Sequence, residues 1–320
     1  MSDRCASSNR RLAVIFPGQG SQFAGMANDL LEQSWSARDL MAQADAVLGF
    51  ELSKIMADPT GNELGRTVFT QPAIFVHSLM LWNILSAATA ILPRVAAGHS
   101  LGEYSALCAA GALTFQDALR CIRVRSVAMD SAQPPGQCGM MAVVGLSVKR
   151  VGEILEGMPE DDSVKIANFN SPDQTVLSGT LLALKKATAL FSGEKRCRCV
   201  MLPVSSAFHT DYMSSAKDEL LRFLNDIEFK EPLFPVISNV TASVFPNDSC
   251  EVRRLLAEQI VSPVLWNDTI SSMQTMAPEC FIEIGPGKVL SGLMKRIDRG
   301  AECRTISGLA DVEAFVGACS

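Results

Sequence analysis

The pentapeptide Gly98-His99-Ser100-Leu101-Gly102, directly after the apolar run Val95-Ala96-Ala97, constrains the fold more than any other stretch. Glycines on both sides of a serine permit a tight strand-to-helix bend, and Glu103 to Gly111 beyond it reads as a helix. Such a turn exposes its serine as a nucleophile, and the amides and dipole of the helix N-terminus favour negative charge developing beside it. That combination is acyl-transfer machinery. Taken alone the pentapeptide leaves a plain turn as the alternative, because Gly and Ser are common residues.

A serine hydroxyl needs a base within hydrogen-bond reach, most often a histidine. The chain has three. His77 sits in the nearly unbroken apolar run Ala73 to Leu81 and reads as a core residue. His99 adjoins Ser100, and neighbouring side chains on a sharp turn point apart, so it shapes the pocket rather than deprotonates the serine. His209 lies in the polar break Pro203 to Thr210, between a strand over 197–202 and a helix from about Asp211 to Asp226. A loop at a strand's end is where a catalytic base is usually mounted; a capping or surface histidine is the alternative.

With 320 residues, 48% hydrophobic and 19% charged, the chain can bury a substantial core as one large or two smaller domains. No apolar run approaches the roughly 18 residues needed to span a bilayer, and Met1 to Arg11 is polar, so a cytoplasmic location with no membrane partner is expected. Ten scattered cysteines have no zinc spacing, with Cys197 and Cys199 the one close pair, and read as reduced, mostly buried thiols. A net charge of −6 without long basic runs argues against nucleic acid as a partner.

Periodicity predicts an alternating α/β order. The strand Leu12 to Phe16 runs into the loop Pro17-Gly18-Gln19-Gly20-Ser21-Gln22, followed by helix from Met26 onward. That loop and the Ser100 turn both follow strand carboxyl ends, where open parallel sheets form ligand sites. The loop lacks the Lys-Ser/Thr of a phosphate-binding P-loop and the third glycine of a dinucleotide fingerprint, so its amides fit an oxyanion hole better. Between Pro134-Pro135-Gly136 and Pro203 the predicted order is βαββαβ, a ferredoxin-like arrangement. We therefore expect a large α/β-hydrolase-like subdomain with a mostly parallel sheet (1–133 and 204–320) and a small ferredoxin-like one inserted over 134–203, closing over the serine. After Pro203 the expected elements are a strand at Val236 to Ser238, helices over 251–260 and 266–276, a strand at Phe281 to Ile284 and a final helix after Gly287.

The predicted helix Phe115 to Met129 carries a further clue. Arg125 falls at the centre of its apolar arc, with Ala118, Cys121, Ile122, Ala128 and Met129, while Arg120 and Arg123 lie opposite. A buried guanidinium needs an anion, supplied either by a protein carboxylate or by a bound ligand. The ligand reading is specific: a planar fork recognising an acyl group that carries its own carboxylate.

Seven motifs in order now resemble a known family. They are Phe16 to Gln22, Gly98 to Leu107, Arg125 with Met129, Asn170-Ser171-Pro172 with Gln174, Phe208-His209, Gln259 four residues before Pro263, and Glu283 to Leu290. Together they look like the malonyl-CoA:acyl-carrier-protein transacylases of fatty-acid and polyketide synthesis, over about Leu12 to Ile306. The resemblance implies Ser100 as the acyl-carrying nucleophile, His209 as its base, and the main-chain carbonyl of Gln259 as the group orienting that base in place of a triad acid. It implies Gln19 and Leu101 amides as the oxyanion hole, Arg125 as the anchor of the malonyl carboxylate, and His99, Phe208, Met129 and Asn170 as further substrate-binding residues. Phe208 beside the base would narrow the pocket towards malonyl over branched methylmalonyl; simple packing is the alternative.

The implied substrates are malonyl-CoA and phosphopantetheinylated acyl carrier protein, with no metal or redox cofactor, and the family is often monomeric. Because such carriers are acidic, Lys195, Arg196 and Arg198, and Lys288, Lys295 and Arg296, are candidates for a docking face, against a merely solvated one. The implied pathway is fatty-acid synthesis; a discrete polyketide acyltransferase or a serine thioesterase are alternatives. A thioesterase gives no reason for Arg125, a patatin-like lipase would carry an Asp-Gly motif that the chain lacks, and a non-catalytic assembly subunit gives no reason to keep serine, base and arginine together.

Overall fold

The computed structural model describes residues 11–134, 136–159, 164–204 and 206–318. Residues 1–10, Pro135 of the expected subdomain boundary and Ser205 of the His209 loop lie outside these.

The larger layer is built on β1 (Leu12–Phe16), a strand without a polar residue and wholly buried. A strand apolar at every position needs cover on both faces, as in a parallel sheet. β1 pairs in parallel with β2 (Val95–Gly98) and β8 (Cys280–Ile284); β7 (Val236–Ile237) and β9 (Cys303–Ile306) complete the order β7-β2-β1-β8-β9. Alternate residues of β1 serve separate cores. Leu12, Val14 and Phe16 join the larger cluster, whereas Ala13 and Ile15 pack with Trp266 and Ile270 of α11 (Trp266–Thr275) and Leu290 and Leu293 of α12 (Val289–Ile297).

Helices α1 (Asn28–Gln33) and α2 (Trp35–Leu48) divide at Ser34, whose backbone is extended and whose hydroxyl accepts from the Ala37 amide to cap α2. After α3 (Leu52–Ala57) comes α4 (Thr67–Thr89), which corrects one expectation. Its 23 residues contain no charge and are long and apolar enough to cross a membrane, although Thr, Gln, His and Ser interrupt the apolar run. Seventy-eight per cent of its apolar window is buried inside the fold, where it packs on α2, α5 (Gly102–Ala109) and α6 (Phe115–Ser131). His77 lies on it, fully buried with Nε2 2.8 Å from the Met26 carbonyl oxygen, the core position expected.

The second layer is an antiparallel sheet of β3 (Cys138–Val144), β4 (Lys165–Ser171), β5 (Gln174–Thr180) and β6 (Arg198–Met201) in the order β4-β5-β3-β6. Helices α7 (Val148–Leu155) and α8 (Leu181–Phe191) bury Val151, Leu184 and Phe191 against it in a separate core.

The chain then enters a short 3-10 turn (Asp211–Met213), α9 (Ser214–Leu224), β7 and α10 (Ser249–Glu258). The helix after Gly287 is not the last element: β9 and α13 (Leu309–Gly317) follow it. Among the described cysteines only Cys121, Cys138 and Cys280 are buried; Cys250 is exposed and the others half-buried, fewer buried side chains than composition suggests.

Candidate active site

Ser100 follows β2 with φ of +50°, a left-handed conformation that non-glycine residues rarely adopt. Both flanking glycines are sterically required. A Cβ on Gly98 would lie 1.8 Å from the Gly102 carbonyl carbon, and one on Gly102 would lie 2.1 Å from the Phe16 carbonyl oxygen. The bend thus brings β2, α5 and the end of β1 into backbone contact that leaves no room for a methyl group. We expect Gly98→Ala to cost roughly 4 kcal/mol, lowering Tm by about 6–10 °C, whereas Gly292→Ala, whose Cβ meets nothing within 4 Å, serves as a neutral control. Equal melting curves for the two variants would refute the steric account.

Ser100 Oγ lies 2.9 Å from His209 Nε2, and His209 Nδ1 donates to the Gln259 main-chain oxygen at 2.8 Å. The carbonyl can only accept, so Nδ1 carries the proton and Nε2 is free to take the serine's. Burial, with Arg125 nearby, pushes His209 down to about 3, so the imidazole is neutral at physiological pH. His209 itself has φ of +60°, and its loop is tied to the small sheet by Ser178 Oγ donating to the Phe208 carbonyl at 2.8 Å.

Arg125 points inward from α6 and is 1% exposed. Its Nη1 donates to Gln71 Oε1 at 2.7 Å, and Nη2 to Ser100 Oγ at 2.9 Å and Gln259 Oε1 at 2.8 Å. Among the described residues no carboxylate lies within 4.0 Å of the guanidinium, and Nε has no partner. Of the two partners open at the sequence level, the geometry therefore favours a bound anion over a direct protein carboxylate.

The Pro17–Gln22 loop packs on the bend so closely that a Cβ on Gly18 would meet the His99 carbonyl oxygen at 2.4 Å. Gln19 and Leu101 both border the cleft, and neither amide has an acceptor among the described residues, as donors awaiting a ligand oxygen would. The cleft, about 250 Å³, runs between the two sheets; Met129, Asn170 and Phe208 line it, with Met140, Val176 and Val204 on the small-sheet side. His99 lines it too, Nε2 2.9 Å from Asn170 Oδ1 and its ring 5.4 Å from that of Trp266; burial lowers its basicity. The hydrogen bonds of Ser100 Oγ among the described residues are to His209 and Arg125, not to His99.

Four contributions escaped sequence reasoning. Gln71 holds Arg125 from α4. Asn239, just past β7, accepts from the Ser100 amide at 2.7 Å through Oδ1 and donates to the Gly98 carbonyl at 2.7 Å through Nδ2, bracing the bend. Glu103, fully buried, accepts from the Asn239 amide at 2.6 Å and from Gln259 Nε2 at 2.5 Å; burial raises its pKa to about 8 against these donors. The Gln259 side chain, at the end of α10, joins Arg125 to Glu103, in addition to its carbonyl's contact with His209. Only Asn239 leaves a sequence signal, as a polar residue at a strand's carboxyl end. Of the basic candidates, Lys195, Arg196, Arg198, Lys288 and Lys295 are exposed, but Arg296 is engaged, pairing with Asp173 at 2.9 Å.

Residues 14–309 match the acyl transferase domain family. The chain belongs to that family. Among acyl transferase relatives, the malonyl CoA-acyl carrier protein transacylase of Bacillus subtilis (strain 168) is 38% identical over 307 residues, 96% of each chain. The structure of the transacylase of that name from Coxiella burnetii superposes with a TM-score of 0.93 at 34% identity, covering 98% of this chain and 99% of that one. A malonyl-transacylase solved in complex with a type II PKS acyl-carrier protein superposes with a TM-score of 0.92 at 33% identity, covering 96% and 99%. The alternation of a mostly parallel sheet with a separate antiparallel one is thus the architecture of these acyl transferases.

Proposed function

We propose that this acyl transferase moves a malonyl group from malonyl-CoA to the phosphopantetheine thiol of an acyl carrier protein through a malonyl-Ser100 ester, supplying fatty-acid synthesis. One observation carries the reading: the hydroxyl that faces the base also lies 2.9 Å from a buried guanidinium without a carboxylate of its own. In a malonyl group one methylene separates the carboxylate from the thioester carbonyl. A carboxylate seated on Arg125 therefore leaves the carbonyl next to Ser100 Oγ, a placement that lowers the barrier by pre-paid orientation.

In the first half-reaction His209 Nε2 takes the Ser100 proton, the oxygen attacks the thioester carbonyl, and the Gln19 and Leu101 amides hold the oxyanion. The base then returns its proton to the leaving CoA sulfur. In the second half-reaction the carrier's thiol attacks the ester by the reverse route, which makes the kinetics ping-pong. Nucleophile, base and oxyanion donors all come from the chain, so the reaction calls for no metal or redox cofactor. Phe208 and Met129 bound the acyl group, and His99 and Asn170, hydrogen-bonded to each other, line the same cleft.

Several finer points belong to the same proposal. The strand order of the small sheet supports a ferredoxin-like subdomain over 134–203, inserted into a large subdomain of 1–133 and 204–320. Exposed Lys195, Arg196 and Arg198, on and just before β6, suit an acidic carrier. We further assign the enzyme to the cytoplasm as a monomer. A polyketide carrier is the second reading, favoured by the type II polyketide complex among the structural neighbours.

Intact-protein mass after brief mixing with malonyl-CoA tests the function. The expected result is a malonyl adduct that persists alone and is discharged by holo acyl carrier protein. Rapid release of free malonate without an adduct would instead make the protein a thioesterase.

A further inference from the structure

The polarity of every hydrogen bond around Arg125 is fixed by one fact: a guanidinium only donates. The Gln259 atom 2.8 Å from Nη2 must therefore be Oε1, which turns Nε2 towards the Ser100 carbonyl at 2.9 Å and towards Glu103 Oε2. The other Glu103 oxygen accepts from the Asn239 main-chain amide at 2.6 Å, a donor that cannot be reversed. Both oxygens of Glu103 thus face donors, and the hydrogen bonds converge on it, from Arg125 through Gln259 on one side and from the Asn239 amide on the other. A buried network of this kind is stable only when every member is satisfied.

We propose that Glu103 is a positioning residue that, through the side-chain amide of Gln259, sets the aim of Arg125 and with it the preference for acyl groups bearing a free carboxylate. The inference rests on the malonyl transfer proposed above. Glu103 does not touch the substrate cleft, which Gln71, Ser100 and Arg125 line. It acts by holding Gln259 so that Oε1, not Nε2, meets the guanidinium. Gln71 on Nη1 and Gln259 on Nη2 are then the two fixed acceptors between which the fork is held.

Glu103→Gln isolates this role. The new carboxamide oxygen can still accept from the Asn239 amide and keep the Ser100 bend braced. Its NH2 group, however, meets Gln259 Nε2 donor to donor. Whichever amide turns over to relieve that, a second donor pair is set against Asn239 N or Arg125 Nη2. His209 is spared, because its partner is the Gln259 main chain.

The experiment measures acylation kcat/KM for malonyl-CoA and for acetyl-CoA, which lacks the carboxylate, well above pH 8, so that the Glu103 carboxyl, raised to about 8 by burial, is ionised. Wild type is compared with Glu103→Gln. We expect the malonyl value to fall about tenfold or more, the size of one lost charge-assisted hydrogen bond, and the acetyl value to fall less than about threefold. If Glu103→Gln does not fold, Glu103→Asp decides the matter: its shorter side chain cannot reach both the Asn239 amide and Gln259 Nε2, so the same ratio should fall, whereas Gln259→Met reports only the direct contact of Gln259 with Arg125. Equal losses on both substrates would make Glu103 a structural residue only. A rise in the malonyl to acetyl ratio would make it a competitor for Arg125, and either result overturns the proposal. Absence of any malonyl adduct on wild type would remove the underlying reaction, and this inference with it.

Discussion

Ser100→Ala is expected to form no malonyl adduct and to lose transfer activity by on the order of 10⁴-fold or more, since nucleophile and base work as one unit. His209→Ala should keep the hydroxyl yet slow acylation by about 10²- to 10⁴-fold, the range of a positioned general base. Both variants leave the Gln259 side-chain network intact, so their melting curves should stay near that of wild type. The same base sets the pH profile. Burial and the Arg125 charge lower His209 to about 3, so it stays unprotonated, and competent, well below the range in which an ordinary histidine is lost. Acylation by acetyl-CoA, which does not draw on Glu103, should therefore hold steady, measured by CoA release, as the pH falls through 6.5, the ordinary histidine value. A loss of rate centred there would show that His209 titrates as if it were exposed. An adduct surviving Ser100→Ala would remove Ser100 from the mechanism altogether.

Arg125→Ala should be the second large effect, and it should be selective. Truncating one partner of a buried charge pair costs about 2–5 kcal/mol, or roughly 30-fold to several thousand-fold. That loss should fall on malonyl-CoA, whose carboxylate would have no counter-charge in the cleft, while acetyl-CoA has nothing to lose there. The enzyme would thereby approach a non-selective acyltransferase. Arg125→Lys should recover only part of the malonyl rate, because an ammonium cannot span Gln71, Gln259 and a carboxylate in one plane. Parallel losses on both substrates would mean that Arg125 supports the fold and not the choice of acyl group.

What the sequence disclosed and what it withheld follow a physical line. Ser100 was legible because the glycines that permit its bend lie within five residues, although Asn239 and the Phe16 carbonyl, which brace it, do not. Arg125 was legible because helical periodicity converts spacing into direction, and an arginine within an apolar arc demands an explanation. His209 emerged by elimination among three histidines, a matter of scarcity more than pattern. Glu103 and Gln71 were hidden for the opposite reason: each matters through a hydrogen bond to a residue 54 to 156 positions away, which no local pattern encodes.

The fold shows the same division. Strands buried on both faces, such as β1, announce themselves as apolar runs. The edge strand β9 contains Arg304 and Thr305 in only four residues and is half-buried along most of its length, so neither alternation nor an apolar run marks it. The division of α1 from α2 turned on the backbone of Ser34 alone, and α4 disguised a 23-residue helix by scattering uncharged polar side chains along it. Its Gln71 and His77 are among those, and both find partners inside the core.

The group that orients His209 is a peptide oxygen, and this gives the site an unusual kind of mutational robustness. In a triad closed by an acidic side chain, one codon change deletes the third member. Here no substitution at position 259 can remove the acceptor, because every amino acid brings the same carbonyl; only a shift of the main chain at the end of α10 can. The Gln259 side chain, which meets Arg125, can therefore be exchanged without removing the acceptor that holds His209. Main chain and side chain of one residue thus serve two different partners and can be altered separately.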